Sequence, residues 1–393
     1  MDPYFEENVV ANVFKKTFDN RELGEDKLDQ ISLTVEPAPQ PGELTIDIRV
    51  KGVLKEKDAF KVFGGDPYIL FSEPIEIPHG GRMAYINGSP MFTQNAKMAS
   101  ISFGTPAGPP KSTGGACPAS DLPDEYSKHY ALGDVDERPM KYDEQICRKC
   151  YANKGNFMYE LTQLHQMARY KWLENELDIR KSPDQVMELG DIMATAVRTA
   201  AENFKKRNRD GEDPRFVRIH DSGDIFDFRI WRMWKRVCEK LNHLKFWCPT
   251  RMWMLPAYTK LFQKEGVPKN LSLRPSAYHF NERAPVIEGM ADGTTSHYWE
   301  KKLKVDPIKS GIADWRCPAY EAPEAATKEE KEAAVSCRGA LERVSRFWTG
   351  PDREALRKLK ASMTREELEL TDGGKTCRVC WLRNDMRVSY KAH

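Results

Sequence analysis

Seven of the nine cysteines in this 393-residue chain stand in settings that suit metal or cluster chemistry. Cys147 and Cys150, in "CRKCYANKG", have two residues between them, a spacing that serves zinc, an iron-sulfur cluster or thiol-disulfide exchange. Cys117, in "ACPAS", ends a Gly/Pro-rich loop and makes a third. Three thiolates are one short of saturating tetrahedral zinc or a cubane, so such a set leaves a position open for a ligand. The plainer alternative is a structural zinc completed by His129, which lies between Cys117 and Cys147. Cys317, Cys337, Cys377 and Cys380, in "RCPAY", "SCRGA" and "TCRVCW", form a set of four. Four thiolates make a closed site for a fully ligated [4Fe-4S] cluster or for zinc, and either would staple a small domain. Cys238 and Cys248 sit in apolar segments and read as core residues.

A second source of chemistry is polar side chains on otherwise apolar strands. In "FVRIHDSGD", Val217 and Ile219 share one face, and Arg218 and His220 the other. In "LSLRPS", Leu271 and Leu273 oppose Ser272, Arg274 and Ser276. With helices over the apolar face, Arg218, His220, Arg274 and Ser276 look into a lumen, and Arg251 ends the strand between them. Arginine forks converging on one cavity match carboxylate or phosphate and point to an anionic ligand. The competing reading pairs them with Asp221 and Asp224 to hold the sheet. Gly223 lets the backbone approach a ligand closely, and Asp224 follows it with a carboxylate.

These residues need a scaffold, and the sequence supplies one of α/β type. "NFMYELTQLHQMARYKWLENEL" and "SPDQVMELGDIMATAVRTAAENFKKRN" read as helices, the second opened by Ser182 as N-cap with Pro183 at the first helical position. Strands at "RFVRIHDSGD", "LKFWCPTR" and "NLSLRPSAY" then alternate with helices at "FRIWRMWKRVCEKL" and "AYTKLFQKEG". Repeated βα units of this spacing predict a parallel sheet or a partial (β/α) barrel. Residues 1–85 read as an N-terminal β-rich layer, 86–300 as the partial barrel, and 301–393 as a small C-terminal cysteine-rich cluster domain. The 61 basic and 59 acidic residues nearly cancel, so no global field drives the chain onto nucleic acid or membrane. No apolar run is long enough to span a bilayer and the start lacks a secretory pattern. The expected location is therefore the reducing cytoplasm, where thiols stay free for metals.

Together, "ACPAS", "CRKCYANKG", "VRIHDSGDIF", "CPTR" and "CRVCWLRNDMRVSYKAH" resemble the phage gene product 88-like proteins over roughly residues 84–393, and are similar in logic to radical S-adenosylmethionine (SAM) enzymes. That resemblance implies a [4Fe-4S] cluster on Cys117, Cys147 and Cys150, with SAM on its open iron and Tyr151 as the aromatic beside the last cysteine. Ser222, Gly223 and Asp224 would stand where radical SAM enzymes have the Gly-Gly-Glu that meets the SAM amino group. Arg274 and Ser276 would add cofactor contacts, and Arg218 and His220 would be catalytic. The four-cysteine set would hold an auxiliary cluster. The usual radical SAM spacing is Cys-x3-Cys-x2-Cys, whereas 29 residues separate Cys117 from Cys147 here. The implied activity is formation of a 5′-deoxyadenosyl radical, with electrons from an external donor, to modify an anionic small molecule, nucleotide or modified base. Two rivals stay open: a zinc-stabilised nucleic-acid-binding protein, and an iron-sulfur electron-transfer or sensor protein without SAM chemistry.

Overall fold

The structure, a computed structural model, describes residues 31–37, 44–50, 68–69, 74–77, 82–85, 89–95, 98, 100–110, 115–121, 146–153, 155–207, 214–280, 282–297, 299–300, 303–304, 307–319, 336–346 and 348–391. The N-terminal segment forms short antiparallel pairs. β1 (Ile31–Pro37) pairs with β2 (Leu44–Val50), β3 (Tyr68–Ile69) with β6 (Ser89–Pro90), and β4 (Pro74–Ile77) with β5 (Arg82–Tyr85).

The sheet that carries the polar residues contains β7 (Thr93–Asn95), β8 (Ser100–Ser102), β9 (Phe216–Arg218), β10 (Lys245–Thr250) and β11 (Leu271–Pro275), side by side in that order. β7 is an antiparallel edge, and β8 to β11 are parallel. Parallel neighbours need crossover connections, and helices supply them. α1 (Glu160–Ile179) and α2 (Pro183–Arg207) lie between β8 and β9, α3 (Phe228–Lys240) between β9 and β10, and α4 (Pro256–Glu265) between β10 and β11. A single parallel bridge from Ser276 to Thr294 leads on into β12 (Thr294–His297). β13 (Trp299–Glu300) and β14 (Leu303–Lys304) make a separate antiparallel pair. β15 (Trp315–Arg316) and β12 flank β16 (Val388–Lys391), all three parallel. The remaining helices are α5 (Ala340–Ser345), α6 (Gly350–Ala361), α7 (Arg365–Leu370) and α8 (Val379–Leu382). The fold is mixed α/β with parallel sheets and, among the described residues, eight α-helices and no closed barrel.

Helix α3 shows how local sequence sets this scaffold. The Asp227 carboxylate caps it by accepting from the Arg229 backbone N–H at 2.7 Å. Ile230, Trp231, Met233, Trp234, Val237 and Cys238 recur at helical spacing and are all buried. Each large apolar side chain so buried contributes about 1.5–3 kcal/mol. Helix α2 opens on Ser182 as the sequence predicts, with the Ser182 hydroxyl and the Gln185 amide oxygen accepting from each other's backbone N–H groups.

Strand alternation sorts the sheet into two faces. Ile101, Phe103, Val217, Ile219, Phe246, Cys248, Leu271 and Leu273 join the core under the helices. On the opposite face Phe216 and Trp247 pack with Trp315, Cys337, Cys377, Val379, Cys380 and Trp381 in a second core. The Trp381 indole donates to the Val217 carbonyl at 3.1 Å, and Arg378 donates to the Met98 carbonyl at 2.6 Å. The cysteine-rich segment beyond residue 300 packs on the sheet face expected to line a lumen, and its last strand lies between β12 and β15.

Candidate functional site

Three loops meet at the carboxyl ends of β8 to β11. The Cys117 loop is tied to its own strand exit by Ala116 N–H to the Pro106 carbonyl at 2.8 Å and Cys117 N–H to the Gly108 carbonyl at 2.9 Å. A Cβ on Gly115 would stand 2.2 Å from the Gly108 carbonyl oxygen, so this approach of two backbones requires glycine. The Cys147 loop is anchored by Ile146 N–H to the Tyr278 carbonyl at 3.0 Å, just beyond β11. Burial, then Asp224, Cys147 and Cys150, push the Cys117 thiol well above its ordinary value. Despite 29 intervening residues, the three cysteines of the open set thus share one neighbourhood. Arg251, at the end of β10, turns its guanidinium onto them: Nη1 hydrogen-bonds Cys147 Sγ. Burial pulls Arg251 down, and Cys147 and Cys150 more than reverse this, so its proton is held more tightly than usual.

Asp224 joins the two arms. Its N–H donates to the Ala116 carbonyl at 2.9 Å, next to Cys117. Its Oδ1 accepts from the Thr250 hydroxyl at 2.7 Å and the Ile225 N–H at 2.8 Å, and Oδ2 accepts from the Arg251 N–H at 2.8 Å. Burial raises this carboxyl above its ordinary value, and those donors oppose the rise. The carboxylate expected to meet a cofactor amine accepts from Thr250, Ile225 and Arg251, while the Asp224 N–H holds the cysteine loop. Ser222 is likewise committed, since its hydroxyl donates to the Thr105 carbonyl at 2.7 Å and accepts from Gln166 at 2.7 Å. Gly223 has φ +74°, and a Cβ there would lie 2.0 Å from the Thr105 hydroxyl. Its lack of a side chain allows this loop to meet the loop that carries Thr105.

Tyr151 couples the cysteine loop to β9. Its hydroxyl donates to the Asp221 carbonyl and accepts from Arg218 Nη2 at 2.6 Å. The residue is 42 % exposed, but its hydroxyl sits between the Asp221 carbonyl and Arg218; desolvation there pushes the phenol up, with Arg218 opposing. Arg218 spends Nη1 on Met98 Sδ at 3.2 Å and stacks over Trp247 with its central carbon 4.7 Å from the ring. It lies on the expected face, with these protein groups around it.

Two expected lumen residues are placed differently. His220 does not share a face with Arg218, because β9 ends at Arg218 and His220 takes φ +55°. The turn sends its ring under the helices, edge-on to Phe103 and Trp234 with centroids 5.8 and 6.4 Å away. Burial lowers it to about 3, so it is a neutral core imidazole at ordinary pH, not a lumen acid-base group. Arg274 is fully buried, and all its donors face protein carbonyls: Nε meets Cys380, Nη1 meets Asp292 and Met386, and Nη2 meets Val379 and Arg383. A guanidinium with every donor committed has none for an anionic ligand. Ser276 shares a hydrogen bond with the Thr294 hydroxyl at 3.1 Å, next to the bridge between the sheets.

The other four cysteines gather on the opposite face. Cys377 N–H donates to the Cys337 carbonyl at 2.9 Å, and Cys317 N–H to the Ser389 carbonyl at 2.8 Å. Burial, then Cys337 and Cys380, push the Cys377 thiol up, and Tyr390 is raised by burial and then by Cys380 and Cys317. Among the described residues, no three or more His, Cys, Asp or Glu side chains are drawn onto one point as ligands of a single metal ion. His129 lies outside the described residues.

The family described as Gene product 88 matches residues 86–343, well over half of the chain. The chain belongs to the gene product 88 family. No curated protein and no solved structure matches it. In this gene product 88 protein the match takes in Cys117, Cys147, Cys150, Cys317 and Cys337, and stops before Cys377 and Cys380. It also crosses residue 300, in keeping with the shared core. No described helix is long and apolar enough to cross a membrane.

Several residues of this gene product 88 site escape sequence reasoning. Thr105, Gln166 and Thr250 carry no motif, and they matter only because they satisfy Ser222 and Asp224. Tyr390, with its hydroxyl 2.9 Å from Cys380 Sγ, lies in "VSYKAH" and gives no local signal. Arg251 carries one signal: it follows directly on a strand in the middle of the parallel set.

Proposed function

We propose that this gene product 88 protein is an iron-sulfur enzyme of radical SAM type, built on an open (β/α) barrel-like sheet. Cys117, Cys147 and Cys150 would hold a [4Fe-4S] cluster with one open iron. Cys317, Cys337, Cys377 and Cys380 would hold an auxiliary [4Fe-4S] cluster, with zinc the alternative at that closed site. The carrying observation is the gathering of the three distant thiols at the carboxyl ends of parallel strands, under Arg251. Parallel α/β sheets keep their reactive sites at that edge. The donor chemistry is that of such sites: a set of three thiolates suits a cubane with one open iron, and a set of four suits a fully ligated cubane or zinc. A cluster there would supply one-electron reduction of a ligand on its open iron, with electrons from an external donor.

The chain's own residues then divide the work. Asp224 fixes the spacing of the Cys117 and Cys147 loops through Ala116 and Arg251. Tyr151 and Arg218 hold the Cys150 side against β9. With Arg274 committed to the C-terminal segment, Arg218 and Arg251 would be the arginines beside an anionic substrate, a small molecule or nucleotide.

A second reading is favoured by one observation: Ser222 and Asp224 are fully engaged inside the protein. An iron-sulfur electron-transfer or sensor protein needs the clusters without a SAM subsite. Anaerobic reconstitution with iron and sulfide, followed by reduction with SAM, separates the two. Formation of 5′-deoxyadenosine supports the enzyme. Two clusters without SAM cleavage under any reductant support the second reading, and stoichiometric zinc without sulfide defeats both.

A further inference from the structure

The three-cysteine site contains a fixed cation that neither cysteine spacing nor strand alternation assigns a part in it. Arg251 is pinned at three points. Its N–H is held by Asp224 Oδ2 at 2.8 Å, its Nε by the Ala277 carbonyl at 3.3 Å, and its Nη1 lies on Cys147 Sγ. It begins the turn Met252–Met254, whose side chains are all buried, so the backbone that carries the guanidinium has little freedom. Asp224, bonded to the backbone of Arg251, also holds the carbonyl beside Cys117. Asp224 therefore ties the two together, holding the backbone of Arg251 with its carboxylate and the Cys117 loop with its own N–H.

We infer that Arg251 is a positioning residue that sets the reduction potential of the three-cysteine site through its charge and its N–H···S hydrogen bond to Cys147. The inference rests on the iron-sulfur reading of that site. Reduction adds a negative charge at thiolates that already repel one another, and a nearby guanidinium stabilises that reduced form. Hydrogen bonds to ligand sulfurs and local charge are the means by which a protein tunes such a site. Burial strengthens the effect, because charges interact more strongly away from water. Arg274 gives all its donors to carbonyls, and Arg218 gives Nη1 and Nη2 to Met98 and Tyr151, whereas Arg251 is the arginine hydrogen-bonded to a cysteine of this site. The role does not require Arg251 to touch substrate.

The test is an EPR-monitored redox titration of reconstituted wild type, Arg251→Gln and Arg251→Lys, with iron and sulfide measured on each sample. Arg251→Gln removes the charge and is expected to disfavour reduction at least tenfold, 59 mV for a one-electron couple. Arg251→Lys keeps the charge and is expected to recover at least half of that shift. A Gln variant with full iron and the wild-type midpoint overturns the inference. So does a Lys variant that behaves like the Gln variant, because charge would then not be the cause. If Gln loses iron outright, the Lys variant decides: retained iron with a near-native midpoint supports the role, and joint loss rejects it. Wild type that takes up no iron defeats the iron-sulfur reading itself, and the inference falls with it.

Discussion

The hydroxyl of Tyr390 lies 2.9 Å from Sγ of Cys380. Cys380 is buried and Tyr390 partly so, and burial raises each of them, while Arg274, Tyr390 and Arg218 act in turn to lower Cys380. A Cys380 thiolate bound to metal would accept the phenol's proton as a hydrogen bond. Partners of this kind orient ligands, and their loss typically costs 10–100-fold in metal affinity. Tyr390→Phe keeps the ring stacked on Trp247, centroids 6.3 Å apart, and removes the hydroxyl. Chelator competition should show weaker retention at the four-cysteine site by roughly that factor, with iron at the three-cysteine site unchanged. Equal loss from both sites would assign Tyr390 to general folding.

Arg274 offers a contrasting test, because its partners are carbonyls of the C-terminal segment and of Asp292. Arg274→Met leaves those acceptors buried and unpaired, at about 1–3 kcal/mol for each that water does not reach. A loss of at least about 3 kcal/mol is expected in urea denaturation of the metal-free protein. Arg274→Lys should recover little, since one ammonium has three donors and no planar fork. Unchanged stability with impaired ligand binding would restore Arg274 to a ligand role.

His220 predicts a pH dependence. Its ordinary value is 6.5, and burial lowers it to about 3. Between those values the unfolded chain binds a proton that the folded chain does not, so stability rises with pH across the window and falls as pH drops from 6.5 toward 3. One such group contributes a slope of up to about 1.4 kcal/mol per pH unit. His165, lowered to about 3 by burial and then Arg169, adds a second contribution of the same sign. His220→Asn keeps a residue that tolerates positive φ and removes one titration. Its denaturation midpoints between pH 4 and 6.5 should therefore change less steeply than those of wild type. An identical slope would show that His220 is protonated in the folded state.

These cases also show what the sequence could reveal. Val217, Ile219, Leu271 and Leu273 face the helices as their alternation predicts, because extended backbone fixes direction every second residue. That rule fails one residue past Ile219, where the left-handed backbone of His220 turns the ring to the other side. Arg274 keeps its predicted face, yet its partners lie at residues 379–386, more than a hundred positions away, and no local pattern announces them. The cysteines were easier, since two-residue spacings are local signals. Cys117, Cys147 and Cys150 lie near enough to act on one another's charge, as do Cys337, Cys377 and Cys380.

The division of the cysteines into an open three and a closed four gives the last prediction. Anaerobically reconstituted wild type should hold about eight iron atoms, two cubanes' worth. Cys150→Ser leaves the first site two thiolates, so about four iron atoms should be lost along with any SAM cleavage. The C-terminal segment should stay assembled, because its packing on Phe216 and Trp247 does not involve Cys150. Cys380→Ser should remove the other iron and make residues 336–391 more sensitive to protease, since a closed site couples metal binding to local folding. The sheet should still form, because the core under the helices contains none of the four cysteines. Iron and sulfide content, limited proteolysis and 5′-deoxyadenosine formation are read on the same preparations. Cleavage of SAM by the Cys150 variant would reject Cys117, Cys147 and Cys150 as the open site. Loss of all iron from either variant would mean that the two sites assemble as one unit across the sheet, joined by the contacts from Tyr151 through Arg218 and Trp247 to Tyr390.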